Sequence, residues 1–154
     1  MRWKKIIKIL LLYNFFNLLK VYYKKKMTEK ELIILKQNEN LAIYEKWINK
    51  AQKEKTINSY LIENGYYNIA IYGLGRLGKQ LYRELSKSNV KIVYGIDCAI
   101  SQYDKIKCYN PNESLENVDL IIVTVSIATD EIIAKLEKKV SCPIISIHDI
   151  LFMI

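Results

Sequence analysis

The chain has 154 residues, 51% of them apolar and 26% charged, which is enough for one packed domain and an appendage and is the composition of an ordinary globular protein. A single histidine, His148, and an odd number of cysteines with no C-x-x-C pair argue against a Cys/His metal site or a disulfide scaffold, so Cys98, Cys108 and Cys142 read as reduced thiols packed as small apolar groups. The net charge of +8 sits at one end, since residues 1–30 hold nine Lys or Arg and one acid (Glu29) while residues 31–154 hold 15 of each sign; a neutral body excludes nucleic acid as its partner and points to an arm that meets an anionic surface or another protein.

Residues 1–26 form that arm. An apolar run from Ile6 to Tyr23 is interrupted by Lys8, Asn14, Asn17 and Lys20 and is flanked by basic residues at both ends. Its 18 residues are at the lower limit for crossing a bilayer, and Lys8 and Lys20 lie near its ends, where they can snorkel. The flanks are matched, so they give no orientation, and no small-residue cleavage site follows. On a helical wheel the polar positions of the whole run drift and form no single stripe. Three readings stand open: contact with a membrane surface, contact with a membrane-bound partner enzyme, or an arm that is poorly ordered or not translated at all; packing across the domain's own apolar surface is the plainer alternative. In the untranslated case Met27 is the true start.

Residues 27–65 read as a helical extension. Leu32, Leu35, Ile43, Trp47 and Ala51 recur at helical steps over 29–53, and Asn38-Glu39-Asn40 is a candidate break. Thr56 is placed to cap a second helix through Glu63, which Gly65 would close in left-handed geometry. Trp47 and the tyrosines here are expected to pack in the core or at an interface.

The stretch from Asn68 to Asp97 carries the clearest pattern. Ile69 and Ile71 alternate with Ala70 and Tyr72 as a short strand would, and Gly73, Gly75 and Gly78 follow in the spacing G-x-G-x-x-G. In a dinucleotide-binding unit the first glycine permits the turn off the strand. The second lets a pyrophosphate approach the backbone, and the third lets the helix pack on the sheet. The helix start offers unpaired N–H groups and partial positive charge to phosphates. Asp97 ends the next apolar run, 19 residues beyond Gly78, where an acid takes ribose hydroxyls and favours NAD over NADP. The alternative is that the glycines serve packing alone and Asp97 caps a turn.

Further on, Ile106–Tyr109 is a short strand stopped by Pro111, and residues 112–117 are a brief turn or helix. Leu120 to Ser126 is a buried strand of the kind that parallel sheets cover on both faces. Thr129 or Asp130 is expected to cap the next helix, residues 143–147 form a last strand, and Ser146 with Asp149 forms an S-x-x-D cap that contains a solvated His148. Alternating strands and helices predict an α/β fold: a doubly wound parallel sheet of about five strands in order 3-2-1-4-5, with an N-terminal helical extension, over residues 66–154. Ligands bind such sheets past the strand carboxyl ends where the order reverses. The candidate cofactor-binding set is therefore Gly73, Leu74, Gly75, Arg76, Leu77, Gly78 and Asp97, with Thr124 and Ser126 toward the other half of a dinucleotide. No catalytic residue is assigned. Tyr103 and Lys107, like Tyr22 and Lys26, make Y-x-x-x-K by chance in the wrong context.

Residues 69–79, the Tyr-Gly-Ile-Asp ending at Asp97, residues 118–124 and the Pro-Ile-Ile-Ser-Ile-His-Asp run at 143–149 together resemble one family. They look like small Rossmann domains of bacterial surface-polysaccharide synthesis. Similar domains begin sugar acetyltransferases, where they bind nucleotide-sugars, and sugar dehydratase or epimerase-like proteins. The resemblance covers about residues 66–151. It implies a Rossmann-like fold and NAD or a nucleotide-sugar as cofactor, with Asp97 on the nucleotide. It also implies a glycan-synthesis enzyme as partner and a cytoplasmic place, peripheral on the inner face of the membrane. Those relatives carry a second, catalytic domain, and this sequence shows none. The expectation is an accessory binding protein; the alternatives are a small NAD-dependent oxidoreductase or epimerase-like enzyme active as a homo-oligomer, and a scaffold used only for protein contact.

Overall fold

The computed structural model describes the backbone of residues 2–154 and the side chains from residue 15 onward, except at positions 17, 21 and 24. Expectations that rest on earlier side chains, Lys8 among them, lie outside the described residues. The chain divides into two units, Met1–Asn38 and Glu39–Ile154.

Helix α1 runs Arg2–Ala51 without interruption, so the break expected at Asn38-Glu39-Asn40 is absent. Asparagine costs a helix only about 0.7 kcal/mol or less, and no glycine or proline lies nearby to stop it. Among the described residues no helix is long and apolar enough to cross a membrane. From Glu39 onward α1 belongs to the second unit. Ile43 and Trp47 are buried there in one core with Ile57, Leu61, Ile69 and Ile71. Trp47 Nε1 donates to Glu84 Oε2 at 2.7 Å, which ties this end of α1 to α3, Arg76–Leu85.

Thr56 caps α2, Ile57–Glu63, by accepting from the Ser59 N–H at 3.1 Å. Gly65 closes the helix at φ +75°, as expected. The sheet that follows holds β1 (Asn68–Tyr72), β2 (Lys91–Ile96), β3 (Gln102–Tyr103), β4 (Ile106–Tyr109), β5 (Leu120–Val123) and β6 (Ile144–Ser146). Their order is β3-β4-β2-β1-β5-β6. The five expected strands keep the expected parallel order, but the sheet has six strands and is mixed. The extra one, β3, pairs antiparallel with β4 in a hairpin, Gln102 against Lys107 and Tyr103 against Ile106. Tyr103 therefore lies in this hairpin, edge-on to Tyr82 at 5.1 Å.

The pleat sends alternate residues to opposite cores. Ile69, Ile71, Leu120 and Ile122 face the core shared with α1, α2, α3 and α5 (Ile147–Met153). Ala70, Ile121 and Val123 face the other, where α4 (Thr129–Leu136) supplies Leu136, Ile132 and Ile133. All four residues of β5 are fully buried, as a central parallel strand requires. Helix α3 follows β1 on one face and α4 follows β5 on the other. That is the consequence of right-handed connections leaving two neighbouring strands in opposite directions. Ser146 caps α5 as expected: the Asp149 N–H donates to its Oγ at 3.0 Å.

Asp119 sets the register at the amino end of this sheet. Its Oδ2 accepts from the N–H groups of Asn68 at 2.7 Å and Tyr67 at 2.9 Å, and these bonds, the Asn68 one foremost, hold its carboxyl below the ordinary 3.8. A depressed native pKa contributes stability that is present above the unfolded value and lost as pH falls through the native one. We predict that Asp119→Ala lowers stability by about 1 kcal/mol near neutral pH. In urea titrations repeated from pH 7 downward, the gap between wild type and variant should close below about pH 4. A gap independent of pH would show that the charge contributes nothing.

Candidate functional site

At the carboxyl end of β1 the chain turns through Gly73 at φ +86°, a conformation that side chains rarely adopt. The Gly73 N–H donates to Ile96 O at 2.8 Å, and the Leu74 N–H donates to Asp97 Oδ2 at 2.8 Å. Asp97 Oδ1 accepts from the Ala99 N–H at 2.8 Å, and its own N–H donates to Tyr109 O at 2.9 Å. Asp97 thus clips the glycine turn to the ends of β2 and β4. A carboxylate has about four lone-pair positions, so acceptor capacity is left over after these two bonds.

The three glycines differ in what surrounds them. A Cβ on Gly78 would stand 2.1 Å from Gly73 O and 2.8 Å from Thr124 Oγ1, so this helical residue lies directly against the turn. A Cβ on Gly73 would meet Val125 Cγ2 at 2.7 Å. A Cβ on Gly75 would meet nothing within 4 Å. Gly75 is the exposed N-cap of α3, with no side-chain cap on the helix. The first N–H groups of a helix lack intrahelical acceptors and carry the positive end of its dipole; of the residues that bear them here, Gly75 and Arg76 are exposed and Leu77 and Gly78 are buried.

Thr124 is buried at 5% exposure. Its N–H donates to Tyr72 O at 2.9 Å, and its hydroxyl reaches Tyr72 O at 3.0 Å and Gly73 O at 2.5 Å. The hydroxyl has one proton, already used on the turn, so Thr124 positions the loop from beneath. Leu74 and Leu77 are buried as well. Arg76 is exposed beside Gly75. Gly73, Gly75, Gly78, Asp97 and Thr124 therefore come together at one turn.

Ser126 stands apart from that turn. Its Oγ is buried without a hydrogen-bond partner, and the residue lines a cleft of about 230 Å³ with Val125, Thr129, Asp130, His148 and Asp149. His148 is 61% exposed, with Nδ1 3.8 Å from Asp149 Oδ1, and so is solvated as expected. Neither Thr129 nor Asp130 caps α4: the N-cap is Ala128, held at φ +58° with no side-chain cap. Thr129 is turned the other way, its hydroxyl donating to Val125 O at 2.8 Å. A left-handed alanine costs about 1–2 kcal/mol, a strain placed in the loop that ends the central strand.

One feature went unread in the sequence. Gly95 in β2 has Leu74 over it, since a Cβ there would meet Leu74 Cδ1 at 2.5 Å and Cys108 Sγ at 3.0 Å. A glycine inside a strand signals such a close approach, and that clue was present. Tyr72, which with Thr124 and Ser126 would have to supply proton chemistry in an enzyme, has its phenol pushed above its ordinary value, first by burial and then by Cys98 and Asp97. The cysteines are free, but only Cys108 is buried. Cys98 is exposed on the loop after Asp97, against the expectation that all were packed.

Compared with protein-family models, with curated proteins and with solved structures, the chain matches none.

The contrast among the glycines is testable on stability alone. Gly78→Ala must displace a backbone carbonyl, so chemical denaturation should show a loss of about 3 kcal/mol, in the upper range for overpacking. Gly75→Ala meets open space and should cost no more than about 1 kcal/mol, the difference between glycine and alanine at an N-cap. Equal losses at both positions would contradict the geometry of the turn.

Proposed function

We propose that residues 66–154 form a Rossmann-like domain that binds a dinucleotide or nucleotide-sugar, and that the chain is an accessory protein of bacterial surface-polysaccharide or glycan synthesis. The observation that carries the binding reading is the contrast within the turn. Gly73 and Gly78 are filled by the protein's own atoms, and Gly75 is left open over a helix start. A glycine where a Cβ would meet nothing is explained by something that approaches its backbone from outside, and a phosphate is the group a helix start attracts. The turn also stands between β1 and β5, whose helices leave to opposite faces, which is where ligands bind in open α/β sheets.

Asp97 ends β2 with a charge at the height of the turn, which favours the free ribose of NAD over the phosphorylated ribose of NADP. The glycan setting and a glycan-synthesis enzyme as partner rest on the resemblance of residues 66–151 to such domains. Three free thiols, one of them exposed, support a reducing, cytoplasmic compartment.

The cleft beside Ser126 favours a second reading, an oxidoreductase or epimerase-like enzyme active as an oligomer. It places a solvated histidine and carboxylates past the ends of β5 and β6. The hydroxyls of Tyr72 and Thr124 serve that chemistry poorly, the first because its pKa is raised and the second because its proton is engaged. Cofactor turnover with a panel of sugar nucleotides, followed by nicotinamide absorbance, would favour this reading; a flat trace across the panel would remove its redox form.

Thermal shift against NAD, NADP, uridine and cytidine sugar nucleotides, and coenzyme A tests the binding proposal. Ligand at 100 times its dissociation constant adds about 2.7 kcal/mol, a rise of several degrees for a domain of this size. Gly75→Val should abolish the shift while leaving the unliganded midpoint within a few degrees. Asp97→Asn keeps an acceptor for the Leu74 N–H, removes the charge, and should weaken binding about tenfold or more. Absence of any shift, or a shift that survives both substitutions, overturns the proposal.

A further inference from the structure

Within the first unit, the described part of α1 carries large apolar side chains in the open. Phe15, Phe16, Leu18, Tyr22 and Tyr23 are each more than half exposed. At about 100° per residue, Leu18, Tyr22, Phe15, Leu19, Tyr23 and Phe16 follow one another round an arc of about 160°. On the same wheel Lys25 falls at one edge of this arc and Lys20 at the other. Lys26, one turn on from Tyr22, falls within the arc on the wheel and closes the face at that end, with its ammonium 5.8 Å from the centre of the Tyr22 ring. The drift of polar positions seen over the whole apolar run is therefore absent from this shorter segment.

We infer that the Phe15–Tyr23 face of α1 lies on an anionic bilayer surface. An apolar arc of nearly half the helix, rich in aromatic residues and edged with lysines, is the pattern of a helix in the plane of the interface: rings sink below the headgroups and ammonium groups stay level with lipid phosphates. The charge distribution selects lipid over a protein groove. Residues 1–30 carry nine basic residues and one acid, and the remainder of the chain is neutral, so attraction to an anionic surface is confined to this end. Beyond it the pattern changes. Leu32, Ile33, Ile34 and Leu35 are exposed but consecutive, so they spread round the helix and offer no single face to a plane. The inference does not depend on the nucleotide reading.

The experiment is co-sedimentation of the full chain with large vesicles of phosphatidylcholine, with and without roughly a quarter of phosphatidylglycerol. Lysines near an anionic surface contribute about fivefold each. The chain should partition onto the anionic vesicles, and Lys20→Gln with Lys25→Gln should lower that partition about 25-fold. Phe16→Ser with Tyr23→Ser should lower it on the same vesicles. All four side chains are exposed, so the variants' thermal midpoints should match wild type. Equal uptake by neutral vesicles, no uptake by either, or uptake indifferent to the lysine pair overturns the proposal. So does the finding, by light scattering, of an oligomer that the Phe16 and Tyr23 substitutions dissociate while vesicles bind nothing, which would make this a protein-contact face.

Discussion

The missing side chain at Gly78 lets α3 settle against the turn that precedes it, and the arrangement of the sheet's carboxyl end depends on that contact. The Gly73 carbonyl occupies the space a Cβ would need, and the Thr124 hydroxyl, coming up from β5, fills the other side. Thr124 thereby joins β5 to the end of β1. Asp97 joins the same turn to β2 through the Leu74 N–H, and Gly95 leaves the space in β2 that the Leu74 side chain crosses. Three strands and a helix are thus fixed by backbone groups and the side chains of one threonine and one aspartate. What remains outward is Gly75, with the helix start behind it.

The two faces of the sheet are covered unequally. One carries α2, α3, α5 and the end of α1, and its core runs from Trp47 to Leu151. The other carries α4 and the loop after β4, with Leu115 and Val118 in place of a helix. On that thinner side tyrosines do much of the filling: Tyr94 is fully buried, edge-on to Tyr109 at 5.2 Å, and its hydroxyl donates to Glu116 O at 2.8 Å. Burial foremost pushes that phenol well above its ordinary value, so it donates its proton and keeps it. The more heavily covered face lies behind α3 and so behind the proposed phosphate position. A site built from backbone needs such packed support, because its donors cannot change rotamer to follow a ligand.

The parts legible in the sequence were those where one residue type meets one local demand. Ile and Val runs gave the strands, Thr56 and Ser146 gave the caps, and Gly65 and Gly73 do stand at positive φ. The parts that stayed hidden depend on contacts between distant segments. The inward turn of Thr124 follows from its neighbour across the sheet, and nothing in Leu-Ile-Ile-Val-Thr distinguishes a threonine that faces a ligand from one that holds a loop. β3 is two residues long, too short for alternation to show. Ala128 caps α4 in a conformation that favours glycine or asparagine, so residue preference pointed to Thr129 instead. The unbroken α1 has a related cause: Asn38-Glu39-Asn40 weakens a helix without ending it, and Ile43 and Trp47 are anchored only by residues far along the chain.

The chain thus joins a neutral α/β body, with one open backbone position at its strand ends, to a basic helix with apolar side chains exposed. The central claim is that a nucleotide's phosphates rest on the start of α3. Titrating NAD or a uridine sugar nucleotide into the isotope-labelled chain and following backbone amide resonances tests this position by position. The account predicts that the largest, saturating shifts fall on the amides of Gly75, Arg76, Leu77 and Gly78, with smaller ones around Asp97. Saturating shifts confined to other parts of the sheet, or spectra unchanged at millimolar ligand, would contradict it.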